Sequence, residues 1–237
     1  LGGAITAVDG RAVRNLAAFR LTDGALDTGF AGTADGQVKA LAVAGSRLYV
    51  GGGFRRLNGA DGTARLGALR LAGGRVDTTF RPATPYAAFA LTVTADRVYA
   101  GLAGPGGRVA AYRPTGELSW STVTDGDVQA LTSLNGTVYA GGHFTVVCDG
   151  PSRTATSWCP TPLRSRPKLA ALHPDTGRLL SWDPGSNGRW GVLTLTADPA
   201  GGAIAVGGEF TAFNGAERRH FAQFRSCAYG CGGGRSR

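Results

Sequence analysis

The feature that most constrains this chain is an internal repeat of about fifty residues, a period that belongs to stacked or radial repeat architectures. The segment Gly51-Gly52-Gly53-Phe54-Arg55-Arg56-Leu57-Asn58-Gly59 returns as Gly207-Gly208-Glu209-Phe210-Thr211-Ala212-Phe213-Asn214-Gly215. A third copy runs from Gly2 to Gly10, a fourth from Gly141 to Val147 is interrupted at Cys148, and a degenerate one keeps only Tyr99-Ala100-Gly101. First glycines at positions 2, 51, 101, 141 and 207 give spacings of 49, 50, 40 and 66. The short interval lost its Asn-Gly segment, and the long one holds a cysteine-bounded insert.

The flanks repeat too. Val38 to Val43 with Leu48-Tyr49-Val50 precede one glycine pair, Val128 to Thr132 with Val138-Tyr139-Ala140 another. Leu66-Gly67-Ala68-Leu69, Val109-Ala110-Ala111-Tyr112, Leu169-Ala170-Ala171-Leu172 and Phe221-Ala222-Gln223-Phe224 follow the pairs, and a last strand closes each unit at Phe30, Phe80, Trp120 or Trp182. Runs of this length, rich in apolar residues and separated by Asn-Gly, Asp-Gly or Gly-Gly, predict four strands per unit joined by tight hairpins. Sustained helical periodicity with caps is missing, so few helices are expected. A sandwich does not require fifty-residue self-similarity and β-helix repeats are shorter, so the period selects an all-β propeller of about five repeats, either a five-bladed ring with an imperfect seam or an incomplete ring cut from a larger propeller. The expected division is a partial blade 1–36, blades 37–86, 87–126 and 127–190, a partial blade 191–226, an insertion 148–167 outside the repeat, and a Cys/Gly/Arg tail 227–237. The glycine pairs are read as sites where adjacent blades approach too closely for Cβ atoms. The periodic aromatics Phe54, Phe144 and Phe210 are read as core between blades.

The pattern Gly-Gly-x-Phe-x-x-x-Asn-Gly, then Leu-Ala-x-Leu, then Asp-Gly-x-Leu-Asp-x-x-Phe resembles the delta-60 repeat, a propeller repeat of unknown function in secreted bacterial proteins. Gly51 to Asn58 with Leu66 to Phe80 matches best, Gly2 to Phe30 nearly as well, and the likeness spans residues 1 to 225. The resemblance implies a propeller fold and a secreted or cell-surface setting, and it carries no catalytic residue to transfer.

With no Met among 237 residues and a first copy that opens in mid-unit, the chain reads as part of a larger polypeptide. The net charge of +9 comes mostly from scattered arginines rather than a basic stripe, so no nucleic-acid partner is expected. No apolar run reaches membrane-spanning length, so no membrane span is expected either. Cys148 with Cys159 and Cys227 with Cys231 lack metal-site spacing and are read as two local disulfides, with free thiols or a metal as the alternatives. Asp27 and Asp77, at one repeat position, are read as turn residues that bond the backbone rather than calcium ligands.

Catalytic groups are sparse. There is no nucleophile elbow, no phosphate loop and no metal-binding pattern, so neither a catalytic residue nor a cofactor is assigned. His143 stands at the variable position after the glycines, where Gly53 and Glu209 occupy the equivalent places. Trp158 and Trp190 fall outside the periodic aromatics, in insertions where a rigid scaffold carries function. With Arg153, Arg189 and Tyr229 they are the expected binding surface for a glycan or a protein, although Trp158 could simply pack its own loop. The leading expectation is a binding or scaffolding module. The alternative is an extracellular hydrolase or lyase with carboxylates or histidines gathered in the central funnel.

Overall fold

The computed structural model describes residues 1–152, 154 and 158–225. Among these residues the chain is all-β, built of four sheets of three or four strands and three two-stranded hairpins. A short hairpin, β1 (Ala7–Val8) with β2 (Arg11–Ala12), comes first. The first sheet holds β3 (Val38–Ala44), β4 (Arg47–Gly52) and β5 (Leu66–Arg70); the second holds β6 (Ala88–Val93), β7 (Val98–Leu102), β8 (Arg108–Tyr112) and β9 (Leu118–Val123). The third comprises β10 (Val128–Leu134), β11 (Thr137–Gly142) and β14 (Leu169–Leu172), with the hairpin β12 (Val146–Cys148) and β13 (Leu163–Ser165) between the last two. The fourth comprises β15 (Gly191–Asp198), β16 (Ala203–Glu209) and β19 (Phe221–Arg225), enclosing the hairpin β17 (Ala212–Phe213) and β18 (Ala216–Glu217). No helix among the described residues is long and apolar enough to cross a membrane.

The repeat in the sequence is a repeat in register. In every sheet the opening strand is antiparallel to the second and carries a bulge two residues from its start, between Val38 and Ala40, Ala88 and Ala90, Val128 and Ala130, and Val192 and Thr194. Asn58-Gly59, Asn135-Gly136 and Asn214-Gly215 have positive φ at both residues, as do Asp9 and Gly10, which is the geometry that a two-residue turn between right-twisted strands demands.

The glycine pairs do what their spacing suggests. The opening strands β3, β6, β10 and β15 pack against one another in succession, so consecutive sheets stack face to face. A Cβ on Gly51 would sit 3.0 Å from the Ala88 Cβ of the next sheet, and one on Gly101 would sit 2.8 Å from Val128 Cγ1. Gly141 makes the same seat for Val192, and Gly2 for Val38. Four apolar clusters lie at these junctions, and Phe54, Phe80, Phe144 and Phe210 are wholly or almost wholly buried in them.

One expectation fails in part. Among the described residues only the second sheet has four strands. In the first and third, the fourth strand shrinks to single bridges, Leu69 with Val76 and Leu172 with Leu179. In the first sheet the reason is the Asp-x-x-Phe turn. The Asp77 N–H bonds Ala68 O at 2.8 Å, and Asp77 Oδ1 then accepts the Thr79 N–H at 3.0 Å, which turns the chain away from the sheet. Asp27 repeats the device with the Gly29 N–H at 2.9 Å, so both residues act as the turn formers expected of them.

The insertion is bonded to the repeat rather than lying outside it. Cys148 and Cys159 form a disulfide with Cα atoms 5.6 Å apart, and Cys148 is buried. Ser152 exchanges backbone hydrogen bonds with Ser121 (2.7 and 2.8 Å), and Val147 bridges Thr124, so the insertion covers the otherwise open edge of β9. Cys227 and Cys231 lie outside the described residues.

Candidate binding site

A device absent from the sequence reading positions the segment after each glycine pair. Asp35 Oδ1 accepts the backbone N–H groups of Arg55 (2.7 Å) and Arg56 (2.8 Å). Asp125 Oδ1 does the same for Thr145 (2.6 Å) and Val146 (2.9 Å), and Asn187 Oδ1 for Thr211 (2.8 Å) and Ala212 (2.9 Å). Burial pushes the Asp35 and Asp125 carboxyls up, but the hydrogen bonds donated by these backbones, and by the Thr145 hydroxyl to Asp125, outweigh it and hold both below the ordinary range. The signal was present in the sequence: an Asp or Asn followed by Gly shortly before each of these opening strands.

That alignment also isolates an insertion. Asp35-Gly36-Gln37-Val38 and Asp125-Gly126-Asp127-Val128 match Asn187-Gly188-Arg189-Trp190-Gly191-Val192, in which Arg189 and Trp190 take more room than the single residue of the other copies. The extra length pushes Trp190 outward to half exposure (50 %). Its backbone N–H donates to Glu209 Oε2 at 3.0 Å, which anchors the bulge to the end of β16. The Arg189 guanidinium lies over the Trp190 ring, 5.5 Å from its centre, and the His143 ring meets Trp190 nearly edge-on at 6.4 Å and 74°.

His143 is held from below. Lys168 has left-handed backbone (φ 69°), is 8 % exposed, and donates from Nζ to the His143 carbonyl at 2.9 Å. Gly126 leaves room for the imidazole, since a Cβ there would stand 2.8 Å from His143 Cδ2. Gly191, at φ 67°, likewise leaves room for the Lys168 stem. His143 Nδ1 is buried without a hydrogen-bond partner among the described residues. The arrangement is an indole face flanked by a guanidinium and an imidazole, on a backbone locked by Lys168 and Glu209. It can stack against a flat apolar or sugar face while Arg189 offers donors at the rim.

Of the six expected binding residues, the structure brings together His143, Arg189 and Trp190. Trp158 is 78 % exposed in the disulfide loop on the β9 side and is not part of the cluster. Arg153 and Tyr229 lie outside the described residues. Lys168 and Glu209 are the two members missed as site residues, because their contacts join segments distant in sequence.

The bulges supply a second line of side chains. Lys39, Phe89, Gln129 and Leu193 project at the same step of successive opening strands, and Lys39 Nζ lies 4.8 Å from the centre of the Phe89 ring. None of the four is a carboxylate or a histidine. Among the described residues no three His, Cys, Asp or Glu side chains gather into a metal site.

No protein-family model matches the chain, and no curated protein is similar to it. Among solved structures, the crystal structure of the computationally designed Ika4 protein is similar with a TM-score of 0.51 at 14 % identity, covering 80 % of this chain and 91 % of that one. The computationally designed Ika8 protein is similar at 13 % identity and a TM-score of 0.39, covering 81 % of this chain and 71 % of that one, too distant to bear on the argument. The first likeness is one of fold alone.

Proposed function

We propose that the chain is a propeller-type binding module of the delta-60-like repeat class, working at a cell surface or in a secreted protein, and that Trp190 with Arg189 and His143 contacts its glycan or protein ligand. The observation that carries this reading is the lengthened turn at 189–190, which departs from the repeat in order to present an aromatic face on a locked backbone. The face-to-face stacking of repeat sheets through glycine seats supports a propeller, and the Cys148–Cys159 disulfide fits an oxidising compartment.

The test is a glycan and peptide array followed by titration of the strongest hit. Trp190→Ala is expected to weaken binding at least about tenfold, as loss of an aromatic anchor does, while Trp158→Ala changes it less than about twofold. Equal losses for both variants, or none for Trp190→Ala, would move the site elsewhere.

A further inference from the structure

The second unit is the one that discards the repeat's middle motif, and it does so around a buried arginine. The residue that precedes the cross-strand partner of the seat glycine is basic in all four sheets: Arg65, Arg108, Lys168 and His220. Lys168 and His220 place their polar atoms on backbone carbonyls, Nζ on His143 O at 2.9 Å and Nδ1 near Gly208 O at 3.2 Å. Arg108 has no such arrangement. It is 2 % exposed, its Nε and Nη1 have no hydrogen-bond partner among the described residues, and the groups acting on its charge are the Tyr86 and Tyr112 phenols rather than a carboxylate.

Its surroundings are also specific to this unit. Gly104 stands where the other units have Phe54, Phe144 and Phe210, and a Cβ on Gly104 would run into the Tyr86 ring, so Tyr86 fills that volume instead. The Arg108 guanidinium lies over the same ring, 5.2 Å from its centre. The Tyr112 hydroxyl is buried within reach of the Arg108 charge, with the Thr84 hydroxyl, which donates to Tyr86 O at 3.2 Å, as its polar neighbour. The connection above, Ala103-Gly104-Pro105-Gly106-Gly107, carries no side chain larger than proline, and Gly104 and Pro105 are exposed.

A buried guanidinium with open donors is among the costliest groups a core can hold, and the usual resolution is an anion that balances its charge and accepts from one of the open N–H groups. We infer that Arg108 and the Tyr112 hydroxyl form an internal oxyanion site beneath the Gly104–Gly107 loop, with the guanidinium oriented by Tyr86. The ligand class is a small oxyanion, either a carboxylate or a tetrahedral inorganic anion. This inference is independent of the Trp190 surface.

The experiment is thermal unfolding of the intact chain with sodium acetate, sodium phosphate or sodium chloride at matched ionic strength. At about a hundredfold excess over Kd, one of the first two salts is expected to raise Tm by about 5–10 °C relative to chloride, because ligand binding to the folded state alone stabilises it. Acetate alone raising Tm assigns a carboxylate, and phosphate alone a tetrahedral anion. Arg108→Met should remove the increment while melting no lower than the parent in chloride, since it deletes an uncompensated charge. Tyr112→Phe should weaken binding about three- to tenfold through one lost hydrogen bond. Should Arg108→Met fail to fold, Arg108→Lys carries the comparison, with at least about tenfold weaker binding for want of the planar fork. Equal Tm in all three salts, or an identical increment in parent and variants, overturns the site.

Discussion

The third and fourth sheets are built alike and buried differently. In the third, Gly141 pairs with Leu169 across β11 and β14, Leu169 is fully buried, and Val192 of the following sheet seats on the glycine. In the fourth, Gly207 pairs with Phe221 across β16 and β19 in the same register, yet Phe221 is 61 % exposed and a Cβ on Gly207 would meet only its own sheet, Thr194 Cγ2 at 2.7 Å and His220 O at 3.8 Å. Leu66 and Val109, at the same position in the first two sheets, are as buried as Leu169. Strand, turn and bulge therefore form from information inside each unit, whereas burial comes from the next one. This is the signature of a chain whose units contact only their neighbours.

Truncation is the strongest way to break that comparison. Leu169→Ala should cost about 2–5 kcal/mol, as large-to-small changes in a packed core do, while Phe221→Ala should stay within about 0.5 kcal/mol. Chemical denaturation measures both, and comparable losses would mean that the fourth face is covered in solution. Overpacking comes next. Gly141→Ala should destabilise by about 1–3 kcal/mol against the buried Val192, whereas at Gly207 an exposed Thr194 can turn aside and the cost should stay below about 1 kcal/mol.

The smallest effect concerns the caps, which both sheets possess. Asp125→Ala and Asn187→Ala should each cost about 1 kcal/mol, showing that a local device is indifferent to whether its sheet is covered. Acid then separates them. The Asp125 carboxyl has a folded pKa below its unfolded value of about 3.9, so its contribution is complete above that pH and is lost as pH falls through the lower folded value. Asn187 does not titrate. Hydrogen exchange at the Thr145 and Val146 amides should therefore accelerate in acid beyond the intrinsic trend, while the Thr211 and Ala212 amides follow it. Parallel behaviour of the two pairs would remove the carboxylate from the account.

Much of this was legible in the sequence because it is local. Asn58-Gly59 and Asn135-Gly136 announce their turns by composition, and the glycine pairs announce close approach because nothing else in an apolar strand explains them. The buried aromatics follow from recurrence alone. The shortened fourth strand of the first sheet was misjudged because Asp77 competes for the backbone, a contest between side-chain and ladder hydrogen bonds that apolar patterning does not register. The caps at Asp35, Asp125 and Asn187 were missed because each reaches some twenty residues ahead. The site was half legible. Trp190 stood out as an aromatic off the period, but its contact with His143 joins two units and required the stacking angle between them.

The seat of valine on glycine has a consequence for assembly. Each junction is made by unlike surfaces, a plug on the opening strand and a socket on the preceding sheet, so the series is polar and every step repeats one screw or rotation. A head-to-tail contact of this kind either returns to its start or continues without end, and which it does depends only on the angle per step. That angle rests on a contact of about one methyl group at Gly51, Gly101 and Gly141. In such a chain a single Cβ at a socket alters more than a core: it alters the angle on which closure or continuation depends.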